Sequence, residues 1–314
     1  MNLTQRAVGA IVGSAVGDAL GAPFEFGPPG AFSARFPLPS AGGEMSGGGG
    51  WDAGEATDDT QMAVHIAESL LEHGGLNLPD IFTRFQRWAA DDPKDIGLQT
   101  EDVLTRGLPW DQAATAHYRS SHRAAGNGAL MRATPSAVYF ARDGRQATMD
   151  AARHIAALTH GDPAAWEGTA IFHDLMRTAL NGADPVDQLS QTLAAVHPDH
   201  RQRYATVLAT DWHPDHATEF NGSVWPCLGS AVWALRTTRS YEDAVRVALD
   251  LGGDTDTVAA VTGGLAGAVY GPTAIPTRWT DPLHIPLPGS GGRILRLPHL
   301  LDLARDLTER PSTN

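Results

Sequence analysis

Apolar residues recur at three- and four-residue intervals through most of the chain. With abundant alanine and leucine, this spacing predicts helices over 3–21, 60–73, 79–90, 98–106, 145–158, 164–181, 185–196, 201–209, 223–236, 240–250, 256–270 and 297–309. No period-2 run of β-branched or aromatic residues stands out, so few or no strands are expected. Glycine- and proline-rich stretches at 26–54, 107–136 and 271–292 separate helices and read as loops. No linker divides the chain. The pattern predicts a single all-α domain over residues 1–314.

Two of these helices carry glycine on one face. Gly9, Gly13, Gly17 and Gly21 recur at every fourth position, the pattern of a face where another backbone approaches closely. Gly263, Gly264, Gly267 and Gly271 make the segment after residue 256 the obvious partner. The first of these helices opens on a basic residue, Arg6, followed by an apolar run, as a secretion leader would. Asp18 interrupts it, however, and the run is too short to span a bilayer, so we read a buried core helix. Asp18 itself reads as a buried carboxylate bonding a nearby helix start, or as support for metal ligands.

Composition narrows the function classes. At 314 residues and 42% hydrophobic, the chain is long enough to bury a large core. Its net charge of −13 repels phosphate backbones and attracts cations, so nucleic-acid binding is not expected. Cys227 is the single cysteine, which excludes a disulfide framework and a cysteine-based zinc site and points to the reducing cytoplasm.

The chemistry concentrates at two helix starts. In "EATDDTQM", Asp58 and Asp59 stand side by side behind Thr57. In "GGDTDTV", Asp254 and Asp256 alternate with Thr255 and Thr257, after Gly252 and Gly253 that let the backbone bend sharply. Asp and Thr are ordinary helix caps, and acidic first turns suit the helix dipole. Each cluster nevertheless has more carboxylates than one cap requires. If the two met, four carboxylates could not all stay ionised without a cation. Their oxygen donors, with the hydroxyls of Thr57 and Thr257, would suit Mg²⁺, Mn²⁺ or Ca²⁺ better than Zn²⁺. Spacing alone leaves paired caps and a metal site both open.

Four blocks together, "GAIVGSAVGDALGAPFEF", "EATDDTQMA", "GNGALMR" and "LGGDTDTVAAVTGGLAGAVYG", resemble the ADP-ribosylglycohydrolases in sequence and order, over residues 9 to 271. The resemblance implies a compact orthogonal helical bundle with a dinuclear Mg²⁺ or Mn²⁺ cleft. It implies metal ligation by Thr57, Asp58, Asp59, Asp254, Asp256 and Thr257, with Asp256 bridging the ions. Glu25, in "APFEF", matches a glutamate near the metals that serves as ligand, general base or gate. Gly126, Asn127 and Gly128 match a loop that holds the diphosphate and distal ribose. His160, in "LTHGDP", matches a residue lining the ribose pocket, and Asp95, in "KDIGLQT", an aspartate that engages a guanidinium. The sequence departs at Ser223, where the family carries an aromatic residue on the adenosine side. Trp225 and Phe220 are the nearby replacements. Ala129 replaces a small hydroxyl residue.

The implied reaction is removal of ADP-ribose from modified protein side chains, arginine favoured, by a metal-bound water attacking the anomeric carbon. Glu25, Asp59 and Asp95 are its candidate catalytic groups, ADP-ribose its product, and a monomer is expected. Two other classes compete. A silent ADP-ribose binder or structural relative would be expected to lose carboxylates, yet every position is filled. A dinuclear nucleotide phosphohydrolase would bridge phosphate rather than ribose, which the "GNGALMR" loop argues against. Three further features have plain readings. His160 alone would pass for a core histidine. "HPDH" at 197–200 and 213–216 reads as solvated loop rather than zinc site. Gly47–Gly50 lacks the lysine of a phosphate-binding loop and reads as a mobile loop over the cleft.

Overall fold

A computed structural model describes residues 1–39, 42–121 and 125–309. Its helices follow the apolar spacing. They are α1 (Leu3–Gly21), α2 (Ala31–Arg35), α3 (Asp58–His73), α4 (Leu78–Ala89), α5 (Leu98–Thr105), α6 (Ala113–Ser120), α7 (Gly128–Met131), α8 (Thr134–Phe140), α9 (Gly144–Ala156), α10 (Pro163–Leu180), α11 (Leu189–Ala194), α12 (Pro198–Val207), α13 (Val224–Thr237), α14 (Tyr241–Leu249), α15 (Thr255–Tyr270), α16 (Thr277–Thr280) and α17 (Leu297–Glu309). One antiparallel ribbon, β1 (His284–Pro286) with β2 (Ile294–Arg296), pairs Ile285 with Leu295. The fold is all-α.

The centre is the glycine-faced pair α1 and α15. A Cβ on Gly9 would lie 2.1 Å from the Gly267 carbonyl oxygen, and one on Gly13 would lie 2.4 Å from that of Gly263. On Gly17 it would lie 2.0 Å from the Ala259 oxygen. No side chain fits between these backbones, which is why the four-residue spacing is glycine. Gly264 faces elsewhere, towards Thr134 of α8. Helices α3, α8, α10, α13, α14 and α17 pack around the pair. By length and composition α1 could cross a membrane, but 94% of that window is buried inside the protein.

Outside the pair, larger side chains fill the core. Leu20, Met62, Ile66, Leu70, Phe85 and Phe172 are all fully buried. Each contributes roughly 1.5–3 kcal/mol by leaving water. Trp88 joins them and donates its indole N–H to Gln61 Oε1 at 2.8 Å, so no polar atom is stranded there.

Several loop readings need correction: α2 lies within 26–54, and α16 and β1 lie within 271–292. The stretch 107–136 is not one loop, because α6, α7 and the start of α8 lie in it. Their runs are too short to show a period. Nor is 197–200 a loop. His197 caps α12, and Pro198 sits in the first turn, where a missing N–H costs nothing. His213 caps a short 3-10 turn in the same way. Finally, Gly47–Gly50 is not among the residues lining the cleft, although Lys94, next to the lining residue Asp95, donates to the Gly50 carbonyl at 3.4 Å. Gly48 and Trp51 exchange backbone hydrogen bonds of 3.0 Å, closing a tight turn beside Pro23.

A carboxylate-lined cleft at two helix starts

One residue of α1 ties down the first helix start. Asp18 is fully buried and accepts hydrogen bonds from the backbone N–H of Thr57 at 3.0 Å and of Thr60 at 3.1 Å. It also accepts from the Thr60 hydroxyl at 2.5 Å. Thr57 caps α3 through its own hydroxyl, which accepts from the Asp59 N–H at 3.3 Å. Asp58 and Asp59 are thereby the first two residues of α3, and both are buried.

The last residue of α1 sets the second start. A Cβ on Gly21 would lie 2.4 Å from the Cα of Asp256, so α15 begins against the end of α1. The Thr255 hydroxyl donates to the Gly21 carbonyl at 2.9 Å. Gly252 and Gly253 both have φ of 69°, a left-handed turn that side chains disfavour. The turn lets Gly253 pair with Gly27, and Phe26 donates its N–H to the Gly253 carbonyl at 2.6 Å. Glu25 is thereby held beside the start of α15.

The two starts open into one cavity of about 480 Å³. Of the residues singled out in the sequence, Glu25, Asp58, Asp59, Asp95, Gly126, Asn127, Gly128, His160, Asp254, Asp256 and Thr257 line it. Thr57 does not. It is fully buried beneath, with its hydroxyl committed to the cap. Oxygens of Glu25, Asp254 and Asp256 lie within 4.8 Å of one another. The Asn127 amide donates to Asp254 Oδ2 at 2.9 Å, and the Asn221 side-chain oxygen accepts from the Asp254 N–H at 3.0 Å. Lys94, next to Asp95, bonds the buried Glu55 carboxylate at 2.6 Å. This anchors the Asp95 segment to the loop before α3.

Electrostatics follow from this crowding. Burial, then repulsion by Asp95 and Asp254, raises the Glu25 carboxyl to about 8. Burial and neighbouring carboxylates push Asp58, Asp59 and Asp256 well above the usual range. Asp254 rises less, because hydrogen bonds from Asn127 and Thr257 favour its ionised form. Asp59 Oδ1 is buried with no hydrogen-bond partner among the described residues. An orphaned carboxylate oxygen, an all-oxygen donor set and carboxyls destabilised as anions fit hard divalent cations.

Some contributors were not legible in the sequence. Phe26 lines the cavity from a left-handed backbone (φ 58°) and stacks on Phe220 with ring centroids 6.3 Å apart. Its neighbour Glu25 was the only available signal. Trp225 is not among the lining residues, and its ring lies under the Arg203 guanidinium. Gln99, Thr100 and Met131 are also part of the wall.

Comparison with known proteins settles the family. The ADP-ribosylglycohydrolase family model matches residues 1–314. The chain belongs to the ADP-ribosylglycohydrolase family. It is therefore a glycohydrolase, and its all-α fold is the family's. An ADP-ribosylarginine hydrolase of Pseudomonas putida is 28% identical over 97% of this chain and 78% of the relative. The ADP-ribosyl-dinitrogen reductase glycohydrolase of Rhodospirillum rubrum is 30% identical over 88% of this chain and 90% of the relative. A solved structure titled ADP-ribosylglycohydrolase-related protein complex superposes with a TM-score of 0.77 at 35% identity, covering 98% of each chain.

Proposed function

We propose that this ADP-ribosylglycohydrolase removes ADP-ribose from modified arginine side chains, using two divalent cations, Mg²⁺ or Mn²⁺. The observation that carries the reading is the convergence of two acidic helix starts with Glu25 and Asp95 in one cleft. The name of the Pseudomonas putida relative supports the arginine linkage, and that of the Rhodospirillum rubrum relative supports an ADP-ribosylated protein as substrate.

Asp58, Asp59, Asp254, Asp256 and Thr257, with Glu25, would hold the cations. When bound, the cations supply Lewis-acid polarisation of the ribose hydroxyls and ease the loss of a proton from water. The chain's own groups do the rest. Gly126 and Gly128 leave backbone amides open to diphosphate oxygens, and Asn127 steadies both that loop and Asp254. Glu25 accepts the proton of the attacking water as the water oxygen bonds to the anomeric carbon. The C–N bond to arginine breaks, its electron pair goes to the guanidine nitrogen, and that nitrogen takes up the proton Glu25 received from the water, so that the side chain leaves as guanidinium. Asp95, half-buried at the cavity wall, faces that guanidinium as a paired acceptor. The oxocarbenium-like charge at the anomeric carbon develops among carboxylates, which favour it. Phe26 and Phe220 offer the aromatic surface for adenine that Ser223 cannot.

A panel of arginine-, serine- and acetyl-linked ADP-ribose substrates tests the linkage. The arginine conjugate should turn over fastest, and Asp95→Ala should slow it by ~10²-fold or more. Equal rates on all linkages, unchanged by Asp95→Ala, would refute the arginine assignment.

A further inference from the structure

We propose that Arg132 sets the tautomer of His160 through the Thr159 hydroxyl, so that His160 presents an Nε2–H donor to an oxygen of the bound nucleotide sugar. Arg132 and Thr159 are then positioning residues. The identity of the ligand rests on the reading above, whereas the tautomer does not.

The chain of bonds is directional. Arg132 is fully buried, and a guanidinium only donates. Its Nη2–H donates to Thr159 Oγ1 at 2.5 Å. That hydroxyl lies 2.8 Å from His160 Nδ1. Were Nδ1 protonated, Oγ1 would accept twice, and its own proton would lack an acceptor in a fully buried place. A buried donor left unpaired is costly. With Nδ1 as acceptor, the Thr159 hydroxyl both accepts and donates, and of this chain of groups only Arg132 Nε is left buried without a partner among the described residues. The ring proton of neutral His160 then resides on Nε2. Burial, then the Arg132 charge, holds the His160 pKa well below the usual range, so the imidazolium does not compete.

The rest of the segment holds the ring still. His160 donates its N–H to the Ala156 carbonyl at 3.0 Å, and its own carbonyl accepts from the Trp166 indole. The Gln99 amide donates to the Thr159 carbonyl at 3.1 Å. The Arg132 guanidinium is itself clamped over the Phe85 ring at 4.7 Å. The free Nε2 edge faces the cavity. A Cβ on Gly126 or on Gly128 would lie 3.4 Å from Nε2, and both glycines line the same wall. The donor therefore opens where phosphate and ribose oxygens would lie. Nothing in "LTHGDP" announces this, because Arg132 lies 27 residues upstream of Thr159.

The test uses the full chain, nitrogen-15 imidazole spectra and calorimetric titration with ADP-ribose. Wild type should show His160 protonated on Nε2 alone. Thr159→Val, which keeps the shape and removes the hydroxyl, should lose the single tautomer and bind ADP-ribose ~10-fold more weakly. Thr159→Ser should restore both. A wild-type ring protonated on Nδ1 overturns the proposal, as does a Thr159→Val variant with unchanged tautomer and affinity. If the tautomer responds as expected but wild type binds no ADP-ribose, the relay stands and the ligand assignment fails.

Discussion

At the scale of single residues, Asp18 and the cleft carboxylates divide the work. Asp18 is not among the residues lining the cavity, yet it organises the helix that carries Asp58 and Asp59. Burial raises its carboxyl to about 6, against hydrogen bonds from Thr60 and Thr57 that favour the ionised form. Asp18→Ala would leave three buried donors without an acceptor, at about 1–3 kcal/mol each. Denaturant unfolding should show a loss of about 3 kcal/mol or more. A loss below about 1 kcal/mol would mean that α3 holds its start without Asp18. Glu25, Asp59 and Asp256 serve the opposite purpose. Their geometry costs stability in the metal-free chain and makes sense as cation binding.

At the scale of elements, the glycine faces of α1 and α15 set the cleft, because they bring the end of α1 against the first residues of α15. Gly17→Ala makes this quantitative. Alanine gains about 1 kcal/mol in intrinsic helix propensity. Here its Cβ would sit 2.0 Å from the Ala259 carbonyl oxygen, on rigid backbone. The helices must part, so Gly17→Ala should lose several kcal/mol overall, whereas Gly75→Ala, with open space around it, should stay within about 0.5 kcal/mol. Comparable stability of the two variants by thermal unfolding would contradict the close pairing. The same elements show what sequence could reveal. The glycine periodicity foretold the partnership, and the echo of "TDDT" in "DTDT" foretold the convergence. Long helices were legible because period 3.6 needs several turns to show. The short α6, α7 and α8 were not, and neither was the turn that brings Phe26 to the wall. Arg132 stood in plain view in "GNGALMR", but its tie to Thr159 is a tertiary contact with no local pattern.

At the scale of the whole molecule, the cleft concentrates negative charge in a chain that is already at −13. Folded Glu25, Asp58, Asp59 and Asp256 keep their protons to higher pH than the unfolded chain does. The folded state thus binds more protons, and stability falls as pH rises through the raised values. Histidines His65, His160 and His173 have lowered values and oppose this only below about pH 6.5, where the unfolded chain begins to take up their protons. Between pH 7 and about 8, the carboxyls alone set the slope. The metal-free melting temperature should therefore drop across that window, and millimolar Mg²⁺ or Mn²⁺ should flatten the drop. A rising or cation-insensitive melting temperature would contradict the electrostatic picture. The most direct test of the central claim is hydrolysis of ADP-ribosylarginine by the chain stripped of divalent ions and then resupplied with them. The account predicts that ADP-ribose release stops on removal, returns with Mg²⁺ or Mn²⁺, and is absent from Asp256→Asn at every cation concentration. Undiminished release in the presence of chelator, or from Asp256→Asn, would contradict it.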